Sequence, residues 1–304
     1  MGSLILATFF SASIALLFKY AAMHHLNQHL ITVSNYATAT FVSIILIIQN
    51  QNIALVDFNN SLFLMTSAIG IATGVFFLLS FSVYQKSVKQ NGASISGMFA
   101  KLGILIPMII SIVIWNEMPS QIQSLGILVA MVAIVIANRP SKKENDKATS
   151  TEEGLTGTAK ATVMFSGSVT MLLLLFVVGG FAEFLNKIFQ RLVSLDYKPI
   201  FLFVVFATAL LLSLILYLRS ENKPLKKGHT LIVGLLIGIP NLFASFFLLN
   251  ALDIFPAAIV FPAYSAGSIL LISVLSVILF REKLYKKDIA AIGLTMISLI
   301  LLNL

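Results

Sequence analysis

The chain has 304 residues, of which 58% are hydrophobic and 11% charged, and it carries a formal charge of +8. A soluble domain has about a quarter of its residues charged, so the main solvent of this chain is lipid, and its basic excess sets membrane orientation rather than binding nucleic acid. With no cysteine there is no disulfide framework, no thiol nucleophile and no cysteine-based metal site.

A bilayer-spanning helix needs about 20 mainly apolar residues. Ten stretches qualify, over 3–22, 30–48, 62–85, 93–115, 121–138, 166–190, 199–218, 229–251, 257–280 and 288–303. Runs such as IVIW and LLSLILYL lack the alternation of a barrel strand. The expected class is therefore all-α integral membrane. The first stretch has no basic region ahead of it and no small-residue cleavage site, so it reads as a retained helix. Lys19 stands near its end, where snorkelling and a cavity role are equally open. His24, His25 and His29 follow in the first connection with no acid beside them; they are expected to be solvated and to hold no metal. The second stretch brings Asn35 and Tyr36. The third holds Gly70 and Gly74, a small-xxx-small pair suited to close helix contact.

The fourth stretch contains the most informative residue. Ile95 to Trp115 reads ISGMFAKLGILIPMIISIVIW, with the single charge of Lys101 inside it. A lysine at a helix centre costs roughly 2.5–3.5 kcal/mol. About eight residues into a helix is roughly 12 Å of depth, far for snorkelling, so a polar cavity is the favoured surrounding. Glu117 follows this stretch. After the fifth, residues 139–162 form a polar run of both charge signs, expected to be a solvated linker. In the sixth, Glu183 and Lys187 are four apart and share a helix face. They read either as a structural ion pair or as a proton-coupling carboxyl beside a lysine. The eighth holds Gly234, Gly238, Pro240 and Asn241, and the ninth holds Pro262 and Tyr264. No HExxH, GxSxG, Walker or GxGxxG-before-helix motif occurs, so no enzyme activity and no cofactor is expected.

The two halves of the chain repeat one another. Glu282, Phe280, Tyr264, Ala291 and Asn303 stand 165 positions after Glu117, Trp115, Phe99, Gly126 and Asn138; Ile237-Gly238-Ile239 and Lys187 stand 168 after Ile69-Gly70-Ile71 and Lys19. The expected organisation is a first five-helix repeat over 1–138, a linker over 139–162 and a second repeat over 163–304. Five is odd, so the second copy must enter the membrane from the opposite side, as in transporters built on inverted repeats.

With ten spans in a five-plus-five arrangement, and NEMPSQIQSLG and REKLYKKDIAA after the fourth and ninth helices, the chain resembles the drug/metabolite transporter superfamily, EamA type. Glu282-Lys283 fits that family's acidic-basic pair better than Glu117-Met118 does, and Ser11 to Ser13 stand where the family often has tryptophan. The resemblance implies carrier-type transport of small metabolites through a central cavity formed by both halves. It also implies cytoplasmic termini. The charge pattern implies the reverse, because nearly all Lys and Arg outside the spans follow odd-numbered helices.

The expected function is secondary-active transport, by alternating access, of a small polar metabolite such as an amino acid or another carboxylate- or phosphate-bearing solute. A lipid-head-group flippase of the same fold is the first alternative and an intramembrane enzyme the second. Lys101, Lys19, Lys187, Tyr36, Asn35, Asn241 and Tyr264 are the candidate substrate-binding residues, and Glu183 is the candidate for proton coupling. The expected partners are a small-molecule substrate, the lipid bilayer and a coupling proton or ion, with no nucleic acid. The expected location is the cell membrane, crossed many times.

Overall fold

The computed structural model describes residues 2–91, 93–137, 169–220, 227–280 and 286–302. The expected linker at 139–162, and Glu282, Asn138 and Asn303, lie outside them. The described residues form helices and connections, with no strand among them. In chain order the helices are α1 (Gly2–Met23), α2 (Gln28–Gln49), α3 (Ser61–Asn91), α4 (Ala93–Leu102), α5 (Leu105–Trp115), α6 (Gln121–Ala137), α7 (Val169–Leu192), α8 (Lys198–Leu218), α9 (Lys227–Ile254), α10 (Ala257–Phe280) and α11 (Lys286–Leu302).

The boundaries have local causes. Asn27 caps α2, its side chain accepting from the Leu30 N–H at 2.9 Å. That satisfies a donor that the first helical turn leaves free. Asn116 takes the left-handed conformation (φ 53°) and closes α5 through a bond to the Ser111 carbonyl, a typical helix C-terminal cap. Pro199 sits in the first turn of α8, where its missing N–H costs nothing.

Among the described residues, seven helices are long and apolar enough to cross a membrane, and three shorter apolar stretches run over Phe99–Trp115, Gln121–Ile136 and Ile289–Leu302. Large apolar side chains point outward, among them Val113 at 74% exposure and Phe41 at 63%. In water such a surface would aggregate; in lipid it is the ordinary outer face. The core forms two main clusters. One joins α1, α5, α6, α9, α10 and α11 around Ala258, Phe261 and Leu252. The other joins α2, α3, α7, α8 and α9 around Phe189, Phe201 and Phe206.

The small-xxx-small pairs lie where helices touch most closely. A Cβ at Gly74 on α3 would stand 2.5 Å from the Val205 carbonyl oxygen of α8, and one at Gly238 on α9 would meet the Asn35 carbonyl and Thr38 of α2. Only hydrogen at these positions lets the backbones approach.

One expectation needs correcting. Residues 93–115 are not one continuous helix: the chain breaks between α4 and α5 at Gly103-Ile104. Pro107 is the cause, since a proline inside a helix cannot donate to the carbonyl four residues earlier and its ring crowds it. That carbonyl is Gly103, which instead accepts from the Ile106 N–H at 3.0 Å. Gly103 also lies against Gly180 of α7, where an added Cβ would meet the α7 backbone at 3.0 Å.

Candidate functional site

A cavity of about 300 Å³ lies at mid-bundle. It is walled by α1 (Ile14, Phe18), α2 (Asn35, Tyr36), α3 (Phe77, Ser80, Phe81, Tyr84), the α4–α5 break (Ala100, Lys101, Ile104), α7 (Leu175, Gly179, Ala182, Glu183), α9 (Asn241) and α10 (Tyr264, Ser265). Six residues singled out in the sequence therefore share one space: Lys101, Asn35, Tyr36, Glu183, Asn241 and Tyr264.

The broken helix explains how Lys101 is tolerated. It occupies the last turn of α4, where unpaired carbonyls carry partial negative charge and favour a cation. Its ammonium lies 5.9 Å from the centre of the Tyr264 ring, and Glu183 is the carboxylate whose charge it feels. Glu183 also accepts from the Asn186 side-chain amide at 3.2 Å. Across the space, the Asn241 amide donates to the Asn35 side-chain oxygen at 3.0 Å, which leaves further donors and acceptors on both amides. The cavity thus holds one cation, one anion, two joined amides and three phenols (Tyr36, Tyr84 and Tyr264), with Phe18, Phe77 and Phe81 as aromatic wall.

Lys187 and Lys19 do not line this space. Lys187 is 2% exposed and forms an ion pair with Glu117 at 2.7 Å, besides donating to the Gln190 side-chain oxygen at 3.0 Å. The Glu183–Lys187 pair read from their spacing is replaced by this longer-range one. The other Glu117 oxygen accepts from the Ser111 hydroxyl at 2.6 Å and from the Ala257 N–H at 2.7 Å. Burial alone would raise the Glu117 carboxyl, but the bonds from Lys187, Ser111 and Ala257 outweigh it and hold the group below the ordinary glutamate range. Lys19 donates to the Ser276 hydroxyl at 3.1 Å and lies 5.1 Å from the centre of the Phe280 ring.

Three features escaped the sequence reading. The aromatic wall contributed by α3 gives no polar signal, because its phenylalanines read like core. Glu117, which in the sequence marks the repeat and the family resemblance, is the partner of Lys187, a pairing set by tertiary contact alone. Lys198 is the third: it opens α8, is 9% exposed, donates to the Asn250 side-chain oxygen and packs on the Phe246 ring. Of the histidines in the first connection, His24 lies against Tyr20, the rings tilted by 52°, and the Tyr20 hydroxyl meets the His229 ring nitrogen at 3.3 Å. Among the described residues no three His, Asp or Glu side chains gather as a metal site would require.

Comparison with known proteins then places this geometry. Residues 166–304 match the model of the EamA-like transporter family. The resemblance drawn from the sequence therefore holds over the second half, where the match falls. No curated protein matches the chain. A solved structure titled only "Crystal structure of protein" is similar with a TM-score of 0.71 at 16% identity, over 98% of this chain and 94% of that one; at that identity the likeness concerns the fold alone. The helices that are long and apolar enough to cross a membrane make the chain an integral, multi-pass helical membrane protein, and its second half is similar to the EamA-like transporter family.

Proposed function

We propose that this protein is a secondary-active carrier of a small polar solute bearing a carboxylate or phosphate, zwitterionic amino acids included. It works by alternating access at the cell membrane, through ten spans arranged as two inverted five-helix repeats. The observation that carries this reading is the single space of about 300 Å³ that collects Lys101, Glu183, Asn35, Asn241, Tyr36 and Tyr264 from helices of both halves. Pockets for small molecules begin near this size and combine apolar walls with a few polar groups that fix orientation. Lys101 would take the anionic group, Glu183 an ammonium where the solute has one, and the amides and phenols the remaining polar atoms. A membrane-buried ionisable residue beside a helix break is where transporters place substrate.

The packing supports the repeat. α6 and α11, equivalent in sequence, are each 17 residues long and pack on one another. Contacts of α1 with α9 and α10 are mirrored by those of α7 with α3 and with α4 and α5. Contacts of α9 with α2 are likewise mirrored by those of α3 with α8. The lysines follow the same rule: Lys187 lies 5.9 Å from the centre of the Trp115 ring, and Lys19 lies 5.1 Å from that of its counterpart Phe280. A two-fold axis in the membrane plane would generate this pattern, because a copy of five helices, an odd number, makes the next copy enter from the opposite side.

The reading is tested by thermal-shift screening of purified protein against amino acids, monocarboxylates and sugar phosphates, since a binder stabilises in proportion to the logarithm of its concentration over its dissociation constant. Hits are then followed into proteoliposomes. Uptake or efflux that falls in Lys101→Ala at unchanged expression supports the carrier. Scrambling of a labelled lipid with no solute flux contradicts it.

A further inference from the structure

The Glu117–Lys187 pair has no place in the cavity, yet it lies against it in a consistent direction. On α7 it sits one turn past Glu183. On the α4–α5 side it lies beyond Ile104, at the close of α5. On α10 it engages Ala257, seven residues before Tyr264 and so roughly 10 Å from it along the axis. Two helices that wall the cavity, and α5, which continues from the α4–α5 break, are thus tied together at one end by one carboxylate: α5 through Ser111, α7 through Lys187, and α10 through the Ala257 N–H. Ile104, Met108, Ala258 and Phe261 fill the space between, each buried. The other cavity residues on α1, α2 and α3 (Phe18, Asn35, Phe81 and Tyr84 among them) lie toward the opposite end, near the 24–27 connection.

We infer that the Glu117–Lys187 ion pair, with Ser111 and the Ala257 N–H, is a reversible latch that closes the end of the cavity facing the 50–60 connection. The inference rests on the carrier reading. Its physical basis is the cost of opening. An apolar seal at this place would have to expose hydrocarbon to water each time the end opened. An ion pair of buried Lys187 and partly buried Glu117 instead loses hydration on closure and recovers it on opening, so its open and closed states lie close in free energy. Such near-balance suits an element that must alternate. A merely structural tie would be better served by packed apolar residues, which are abundant immediately around it.

The absence of cysteine makes a direct test available in the full-length reconstituted protein. A single Ala100→Cys reporter, beside Lys101 in the cavity, is labelled with a membrane-impermeant maleimide from each face in turn. In the parent the face of the 24–27 connection labels faster. Adding Glu117→Gln raises labelling from the 50–60 face by about tenfold or more, a change that requires only about 1.4 kcal/mol of latch energy. Lys187→Gln does the same, and Ser111→Ala, the mildest variant and the one safest for folding, moves in the same direction by less. If labelling from the 50–60 face stays at the parent rate in folded Glu117→Gln and Ser111→Ala, the pair is a structural tie and the latch is wrong. If Ala100→Cys is labelled from neither face in any background, the cavity is dry, and the carrier reading falls together with the latch.

Discussion

Replacing Lys101 by methionine separates a binding role from a structural one, because the two predict effects of different size on different quantities. If Lys101 and Glu183 formed a dry structural pair, removing one partner would leave a buried unpaired charge and cost about 3–5 kcal/mol of stability. If both face a water-filled cavity, for which the space of about 300 Å³ has room, water solvates Glu183 and the pair contributes about as little as an exposed one, under about 1 kcal/mol. Loss of the charged hydrogen bond to a substrate carboxylate is a separate term of about 1.5–3 kcal/mol, or about ten- to a hundredfold in affinity at 1.4 kcal/mol per decade. Lys101→Met is therefore expected to unfold within a few degrees of the parent and to bind the best amino-acid or carboxylate hit ten- to a hundredfold more weakly. Thermal unfolding in detergent gives the first quantity and calorimetric titration the second. A strongly destabilised variant, or a stable one with unchanged affinity, refutes the assignment.

Other substitutions test neighbouring parts of the account. Glu183→Gln should lower affinity for zwitterionic amino acids while leaving that for the matching monocarboxylates within about threefold, less than half a decade of affinity, as competition binding would show. Gly74→Ala and Gly238→Ala, whose new methyl groups would strike backbone carbonyls of α8 and α2, should each cost about 1–3 kcal/mol through overpacking. Gly293→Ala, with open space around it, should instead be neutral or gain up to about 1 kcal/mol from helix propensity; thermal unfolding of all three decides. Glu117 predicts a pH dependence. Its folded carboxyl titrates below its unfolded value, so its contribution is complete above the unfolded value and disappears as pH falls through the lowered folded one. The parent should therefore lose thermal stability in that acid window, and Glu117→Gln should lose less of it.

Much of the candidate site was legible in the sequence because charges and amides stand out against apolar helices. Lys101, Glu183, Asn35 and Asn241 were conspicuous for that reason, and the structure brings them into one space. The reading failed where identity carries no signal. Phe77 and Phe81 line the cavity, yet they are indistinguishable in sequence from the phenylalanines of the core. Lys187 stands out too, but its spacing offers Glu183 as one reading of its partner, whereas tertiary packing gives it Glu117, far away along the chain. The break at Gly103 was also missed: Pro107 was printed in the sequence, but a proline can sit inside a continuous helix, as Pro240 and Pro262 do here. What distinguishes the break is Gly103 at the position whose carbonyl Pro107 crowds, and the contact of Gly103 with Gly180.

The central claim is that two halves of like fold cross the membrane in opposite senses. The most direct measurement uses two single-cysteine variants at exposed sites in repeat-equivalent connections, Asn59→Cys after α2 and Arg219→Cys after α8, labelled with an impermeant maleimide in sealed vesicles of one known orientation. The account predicts that one site labels from outside and the other only after the vesicles are opened. Labelling of both from the same face would contradict it.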